Sequence, residues 1–251
     1  MKIFRSIKQW QGWRATVTDH LVGFVPTMGA LHEGHLSLVA ASKAQDDLTV
    51  VSVFINPQQF DDRADFDAYP NDFRKDLERL ETAGVHAVLL PDETQMYPDD
   101  YRFKITEDDF SRKFCGAHRP GHFNGVLTIV MRLLNLVRPD NAYFGEKDYQ
   151  QLQLIRDMVA AFFMPVNIVA CATVREADGL AMSSRNQHLD TMNRVKAASL
   201  YAVLKHSGSA KEATEALTGQ GFDVDYVEDI SHRRLAAARL GNTRLIDNVK
   251  I

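Results

Sequence analysis

The chain has 251 residues, with 29 Lys+Arg against 33 Asp+Glu, a formal net charge of −4, 45% hydrophobic residues and 25% charged ones. That balance excludes disordered, collagenous and fibrous classes, and the mild acidic excess argues against a dedicated nucleic-acid binder. Two cysteines, Cys115 and Cys171, exclude a disulfide framework and a four-cysteine zinc site. The N-terminal MKIFRSIKQWQGWR scatters charge along its length and has no apolar core of signal-peptide size. The longest apolar stretch, Leu48–Ile55, is too short to span a bilayer. A cytoplasmic enzyme is the expectation.

In chain order, Leu21–Val25 reads as a short buried strand punctuated by Pro26 and Gly29. From Gly34 the pattern turns helical, with Leu36, Leu38, Val39 and Ala41 as apolar positions. Leu48–Ile55 is continuous and β-branched, the mark of a strand covered on both faces, and Asn56-Pro57 stops it. Phe73, Leu77 and Leu80 fall at helical spacing over Asn71–Ala83, with Gly84 where a terminating glycine belongs. Val85–Leu90 is a further strand, Gly125–Val137 a largely buried helix, and Ala142–Phe144 a very short strand. Tyr149–Phe163 reads as a helix and Val166–Ala170 as a strand. Alternation of this kind predicts an α/β unit: a Rossmann-like parallel sheet with helices on both faces and right-handed crossovers. Beyond about Thr173 the character changes. One helix over Met192–His206 and another near Lys211–Leu217 precede alternating segments at Phe222–Glu228, Arg234–Leu240 and Thr243–Val249. They predict a small C-terminal α+β domain, dividing the chain into 1–173 and 174–251. Asp92–Asp100 and Gly116–Gly125 read as the longest irregular segments.

Several segments carry chemistry. Pro26–His35 (PTMGALHEGH) leads from the first strand into the first helix, and His32 and His35, three apart, share one side of that helix start. Gly34 clears space for a ligand, while unpaired amides and the helix dipole favour an anion. Taken alone, the pair reads equally well as two solvated histidines. It lacks the spacing of a zinc site. Gly145–Gln151 (GEKDYQQ) also follows a strand and opens a helix; Lys147 is a point charge for phosphate and Asp148 a helix cap. Met182–Arg185 (MSSR) offers two hydroxyls and a guanidinium, a clamp for polyphosphate or a serine-rich turn. Gln59 comes off the end of the second strand and can read hydroxyls and a carboxylate without adding charge. If Gln58 and Gln59 lie in an extended segment, only one of them faces the crevice. Gln151 falls in the first turn of its helix. The acidic run Asp61, Asp62, Asp65 and Asp67 reads as a solvated loop rather than a metal site. No Walker loop and no GxGxxG occurs, so nucleotide handling by another scaffold is expected.

PTMGALHEGH, FINPQQF, RPGHFNGV, VRPDNAYFGEKDYQQL, VREADGLAMSSRN and LGNTRLIDNV, in this order, closely resemble the pantoate–β-alanine ligase family. That family sits among adenylyl-transferring enzymes with a HIGH-type signature. The resemblance implies a two-step reaction: ATP and pantoate give pantoyl adenylate and pyrophosphate, and β-alanine then displaces AMP. It implies ATP binding by Met28, Gly29, Ala30, Leu31, His32, Glu33, Gly34 and His35, by Gly145, Glu146, Lys147 and Asp148, and by Val174, Met182, Ser183, Ser184 and Arg185. It also implies His35 as the proton donor to phosphate, with His32, Lys147 and Arg185 completing the catalytic set. By the same resemblance Gln59 would contact pantoate and β-alanine, and Gln151 pantoate. The family implies Mg²⁺, with ligands the residues do not identify, and a homodimer, while the acidic charge balance and short apolar runs lead us to expect no nucleic-acid or membrane partner. A C-terminal lid domain would shelter the adenylate from water. Two departures stand out: Gln58 replaces a residue that is often Met, and the connection after Glu228 looks shortened. The competing readings are another nucleotidyltransferase of the superfamily and a non-catalytic nucleotide sensor.

Overall fold

The apolar run Val22–Thr27 and the β-branched run Leu48–Val53 lie side by side at the centre of a six-stranded parallel sheet. The structure is a computed structural model and describes residues 1–61 and 63–251. The chain divides into two compact units, Met1–Gly145 with Gln150–Cys171, and Glu146–Tyr149 with Ala172–Ile251.

The strands of the first unit are β1 (Lys2–Phe4), β2 (Val22–Thr27), β3 (Leu48–Val53), β4 (Ala87–Leu89), β5 (Asn141–Gly145) and β6 (Asn167–Cys171). Its helices are α1 (Ile7–Arg14), α2 (Glu33–Gln45), α3 (Arg63–Asp67), α4 (Phe73–Thr82), α5 (Glu93–Met96), α6 (Cys115–His118), α7 (His122–Val137) and α8 (Tyr149–Ala161). The sheet order is β1-β4-β3-β2-β5-β6. Right-handed crossovers therefore place α2 and α4 on one face and α1, α7 and α8 on the other. The packing agrees: Val25, Val51, Val53, Val88 and Tyr143 form one core cluster with Leu38 and Val39 of α2 and Leu80 of α4. On the opposite face the fully buried Trp10 of α1 donates through Nε1 to Leu136 O of α7 (2.8 Å).

The chain leaves β2 in one direction and returns to β5 from the other, which makes the carboxyl ends of these neighbours a topological switch point. Pro26 helps to open it. Val22 O accepts from Asp140 N on the β5 side and Thr27 O from Phe54 N on the β3 side, so by alternation Pro26 faces β5. Registered pairing of β2 with β5 covers only Gly23 and Phe24, whereas pairing with β3 runs on to Thr27. A residue without an N–H thus sits where that ladder has already parted. Pro26 was expected to end the strand, and it ends only one side of it.

Other differences have local causes. The N-terminal β1 and α1 carry no strong periodicity: β1 has three residues and depends on pairing with β4. The stretch Asp92–Asp100 contains α5, whose cap is Asp92 accepting from Gln95 N (2.9 Å). The acidic run was expected to be a loop, yet Arg63–Asp67 is helical, with an Arg63–Asp67 pair at 3.0 Å; Asp62 lies outside the described residues. The buried helix begins at His122 rather than Gly125.

The second unit packs α10 (Ser199–His206) and α11 (Ala210–Gly219), preceded by α9 (Thr191–Ala197), on an antiparallel sheet β7-β8-β9 (Asp223–Ile230, Arg233–Leu240, Thr243–Lys250). Leu200, Leu204, Leu217, Phe222, Ala236 and Leu245 are in its core. The single helix expected over Met192–His206 is two. Ser199 Oγ donates to Lys196 O (2.8 Å), a back-bond that competes with the helical ladder. Between β7 and β8 the turn is only Ser231 and His232, with Ser231 at φ 52°. The brevity noted after Glu228 is thus a tight hairpin. Among the described residues, no helix is long and apolar enough to cross a membrane.

Candidate active site

The loop from β2 to α2 is built to hold two histidines. His32 is the N-cap of α2, and its Nδ1 accepts from Gly34 N (3.1 Å), while His35 Nδ1 accepts from His32 N (3.3 Å). This is a reciprocal capping box made with imidazoles instead of hydroxyl and carboxylate. Because both Nδ1 atoms accept, the proton of each neutral ring lies on Nε2. The rings are 4.1 Å apart between centroids. The expected unpaired amides are not available in that number. Gly34, His35 and Leu36 all donate within the turn, to His32 Nδ1 or His32 O. The imidazole N–H groups, rather than backbone amides, are therefore the stronger candidates as anion donors here.

Upstream, Gly29 and Ala30 hold φ of 83° and 50°. Buried Asp76 of α4 keeps them there: its carboxylate accepts from Ala30 N (2.9 Å) and Leu31 N (2.8 Å). Arg79 Nη1 donates to Leu31 O, and Thr27 Oγ1 accepts from Gly29 N (3.2 Å). Sequence reading missed Asp76, which looks like any acidic residue of a solvated helix face.

Gln59 ends a 3-10 helix, Pro57–Gln59, capped by Asn56. The segment is not extended, so adjacent side chains diverge by about a third of a turn instead of half. Gln58 and Gln59 still part company. Gln58 is exposed and its side chain reaches Tyr101, while Gln59 Oε1 accepts from Asn56 Nδ2 (3.1 Å). The Gln59 backbone carbonyl accepts from Arg119 Nη2 (3.0 Å) and His122 Nδ1 (2.8 Å). Arg119 is itself paired with Asp61. Gly125 lets α7 approach, since a Cβ there would stand 2.2 Å from Gln58 O. The RPGHFNG stretch is thus the seat of the Gln58–Gln59 turn. Gln151 lies half-buried in the first turn of α8. Its neighbour Gln150 is buried and ties Cys115 N, Phe110 O and Lys113 O together.

In the second unit, Glu146, Lys147 and Asp148 form a 3-10 turn directly after Gly145, the last residue of β5. Asn248 of β9 donates through Nδ2 to Glu146 O (2.8 Å) and Lys147 O (3.0 Å). Arg233 pairs with Glu146 (2.8 Å) and lies over the Tyr149 ring. The segment expected as an irregular clamp is a 3-10 helix, Ser184–His188. Ser183 Oγ accepts from Arg185 N (3.3 Å), so that hydroxyl has a capping role, as a serine-rich turn would give it. Asn186 anchors the turn to Glu176 Oε1 and Ala181 O. Val174 and Met182 are partners, Met182 N donating to Val174 O (3.0 Å). Arg175 makes a two-pronged pair with buried Asp247 (2.7 and 2.9 Å) and stacks on Tyr201. Arg194 braces Glu176 and Asp178, and holds the Asp178 carboxyl below the usual carboxylate range. The turns carrying Lys147 and Arg185 both rest on β9. Among the implied residues, Met28–His35, Gln59, Gly145 and Gln151 belong to the first unit, and Glu146–Asp148, Val174 and Met182–Arg185 to the second.

The Pantoate-beta-alanine ligase family model matches residues 2–250. The chain is 50% identical to the pantothenate synthetase of Bdellovibrio bacteriovorus, covering 100% of this chain and 99% of that one. Against the pantothenate synthetase of Coxiella burnetii identity is 47%, over 99% and 96% of the two chains. The crystal structure of Francisella tularensis pantoate-beta-alanine ligase, complexed with β-γ ATP and β-alanine, superposes with a TM-score of 0.95 at 37% identity. That match covers 100% of this chain and 97% of the other. Pantothenate synthetase from Thermus thermophilus superposes with a TM-score of 0.90 at 39% identity, covering 100% and 99%. The C-terminal part is therefore not shortened relative to these proteins. On a full-length family match and this level of identity, the chain belongs to the pantoate–β-alanine ligase family of enzymes.

Proposed function

We propose that the chain condenses pantoate with β-alanine at the expense of ATP, through a pantoyl-adenylate intermediate. A pantoate carboxylate oxygen attacks the α-phosphorus, the bond to the bridging oxygen breaks, and pyrophosphate leaves. The neutral amine of β-alanine then attacks the acyl carbon and loses a proton. The bond from that carbon to the phosphoryl oxygen breaks, and AMP leaves. The protein forms no covalent bond, so its work is positioning and charge neutralisation. The observation that carries the reading is the reciprocal histidine cap. It puts the ring proton of His32 and His35 on Nε2, where each can donate to phosphate oxygens.

In this reading the first unit supplies Met28–His35 and Gly145 to the nucleotide, Gln59 to pantoate and β-alanine, and Gln151 to pantoate. The second supplies Glu146–Asp148, Val174 and Met182–Arg185, with Lys147 and Arg185 offsetting pyrophosphate charge. We assign it the role of a lid that shelters the adenylate. Among the described residues, no group of three or more His, Cys, Asp or Glu is arranged to hold a metal ion. Magnesium enters as part of the substrate, held chiefly by ATP phosphates. A homodimer in the cytoplasm completes the proposal.

Product analysis tests it. With ATP, pantoate and β-alanine present, pantothenate, AMP and pyrophosphate should form in equal amounts. A nucleotide-linked product that accumulates despite β-alanine would favour the nucleotidyltransferase reading.

The glutamine pair gives a finer prediction. Gln59→Ala should cost about 1–3 kcal/mol in kcat/KM for pantoate, because a site built to hydrogen-bond hydroxyls and a carboxylate is left unpaired. KM for ATP should move far less. Gln58→Ala should stay within about threefold of wild type, as an exposed side chain is usually worth under about 0.5 kcal/mol. Kinetics with pantoate and ATP varied separately measure both. A larger loss at Gln58 would reverse the assignment.

A further inference from the structure

Behind Gln59 runs a chain of hydrogen bonds whose direction is set by groups that can act in only one sense. Asn56 is buried at 1% exposure. Its Nδ2 lies 3.2 Å from Gly125 O, a carbonyl that can only accept. Its Oδ1 lies 3.4 Å from Gln58 N, an amide that can only donate. Both neighbours demand the same orientation of the Asn56 amide. Tyr97 adds the shortest contact, its hydroxyl donating to Asn56 Oδ1 at 2.6 Å. Burial pushes the Tyr97 phenol well above its usual range, which keeps the proton in place. With Oδ1 committed, the second hydrogen of Asn56 Nδ2 goes to Gln59 Oε1 at 3.1 Å. The acceptor end of Gln59 is thereby turned inward, and its Nε2, with two hydrogens, is the end directed away from Asn56.

We propose that Tyr97 is a positioning residue: acting through Asn56, it fixes the Gln59 amide so that only the donor end is offered to the substrate. Tyr97 is held for this purpose from several sides. Arg132 lies 4.8 Å from its ring centroid and donates through Nη1 to Met96 O (2.7 Å). The rings of Tyr101 and Phe54 pack beside it. The substrate group facing Gln59 must then be a lone-pair donor, a carboxylate or hydroxyl oxygen. A substrate N–H at the same place would meet hydrogens. This inference rests on the reading that Gln59 contacts pantoate.

A double-mutant cycle tests it. Tyr97→Phe keeps the ring, and so its packing, and removes only the hydroxyl. In an otherwise wild-type chain it should lower kcat/KM for pantoate about three- to tenfold, the range of one buried hydrogen bond, and leave KM for ATP unchanged. In a Gln59→Ala background the same change should cost less than about 1.5-fold, because the group being aimed is gone. Asn56→Asp, which removes the Nδ2 donor, should lower kcat/KM for pantoate at least as much as Tyr97→Phe, and again add little to Gln59→Ala. Tyr97→Phe without loss, or with the same loss in both backgrounds, would overturn the relay while leaving Gln59 a substrate contact. Gln59→Ala with unchanged pantoate kinetics would overturn that contact as well. Thermal unfolding of each variant separates these outcomes from misfolding.

Discussion

Replacing His35 by alanine is expected to lower kcat by about 10²–10³-fold, the usual consequence of losing one preorganised transition-state donor. Two solvated histidines at a helix start, as the sequence reads them, would leave stability nearly unchanged. The structure requires a modest cost, because His35 Nδ1 is the acceptor for His32 N at the start of α2. Loss of a cap of this kind is worth about 1 kcal/mol. His35→Asn separates the two effects. Its side-chain oxygen can still accept from His32 N, but no donor remains at the position of Nε2. The asparagine variant should therefore unfold within about 0.5 kcal/mol of wild type and yet share the kcat loss of alanine. Rapid-quench kinetics and denaturant unfolding on the two variants measure this. If asparagine restores turnover, the ring acts through the cap alone.

Gly125→Ala should damage both stability and pantoate use, although alanine is the better helix former by about 1 kcal/mol. Its Cβ would lie 2.2 Å from Gln58 O and 2.8 Å from Gln59 N, both backbone atoms that no rotamer change can move. Either α7 or the Pro57–Gln59 turn must shift, and overpacking of this severity costs about 1–3 kcal/mol or more. The shift also moves Gln59, whose carbonyl is held by Arg119 and His122. If Gln59 contacts pantoate as proposed, a displacement of about 1 Å can cost on the order of 10²-fold in rate, so kcat/KM for pantoate should fall by about that factor. Gly12→Ala is the control. Nothing lies within 4 Å of its added Cβ, Gly12 itself is exposed on α1, and the change should be neutral or stabilising by up to about 1 kcal/mol. Chemical denaturation compares the two, and equal behaviour would contradict the packing account.

Much of the fold could be read from the chain because its signals are local. Leu48–Ile55 is apolar almost without interruption, as a strand buried on both faces requires. Phe73, Leu77 and Leu80 mark α4 by their spacing and Gly84, at φ 73°, follows its end as expected, although the helix starts at Phe73, with Asp72 as cap, rather than at Asn71. What escaped notice depends on partners distant in sequence. β1 exists because Lys2–Phe4 pair with Ala87–Leu89, and α1 because Trp10 finds Leu136. The proposed site shows the same division. His32, His35, Gln59, Lys147 and Arg185 stand in short motifs whose chemistry is visible in the residues themselves. Asp76 and Asn248 hold those motifs in place from other elements, and nothing near them in sequence announces it; Asn56 shares a motif with Gln59, where in sequence it reads only as a strand stop. Gln58 and Gln59 read in sequence as part of an extended segment, whereas Pro57 starts a 3-10 turn. The side chains diverge in either geometry, so the distinction between Gln58 and Gln59 survives for a different reason.

The most direct test of a two-step adenylation is exchange of labelled pyrophosphate into ATP. The residues assigned to the first step form a set that needs no amine. Exchange should therefore require pantoate, proceed without β-alanine, and fall with His35→Ala by about the same 10²–10³-fold as turnover. Exchange that appears only when β-alanine is present, or that proceeds without pantoate, would contradict the mechanism.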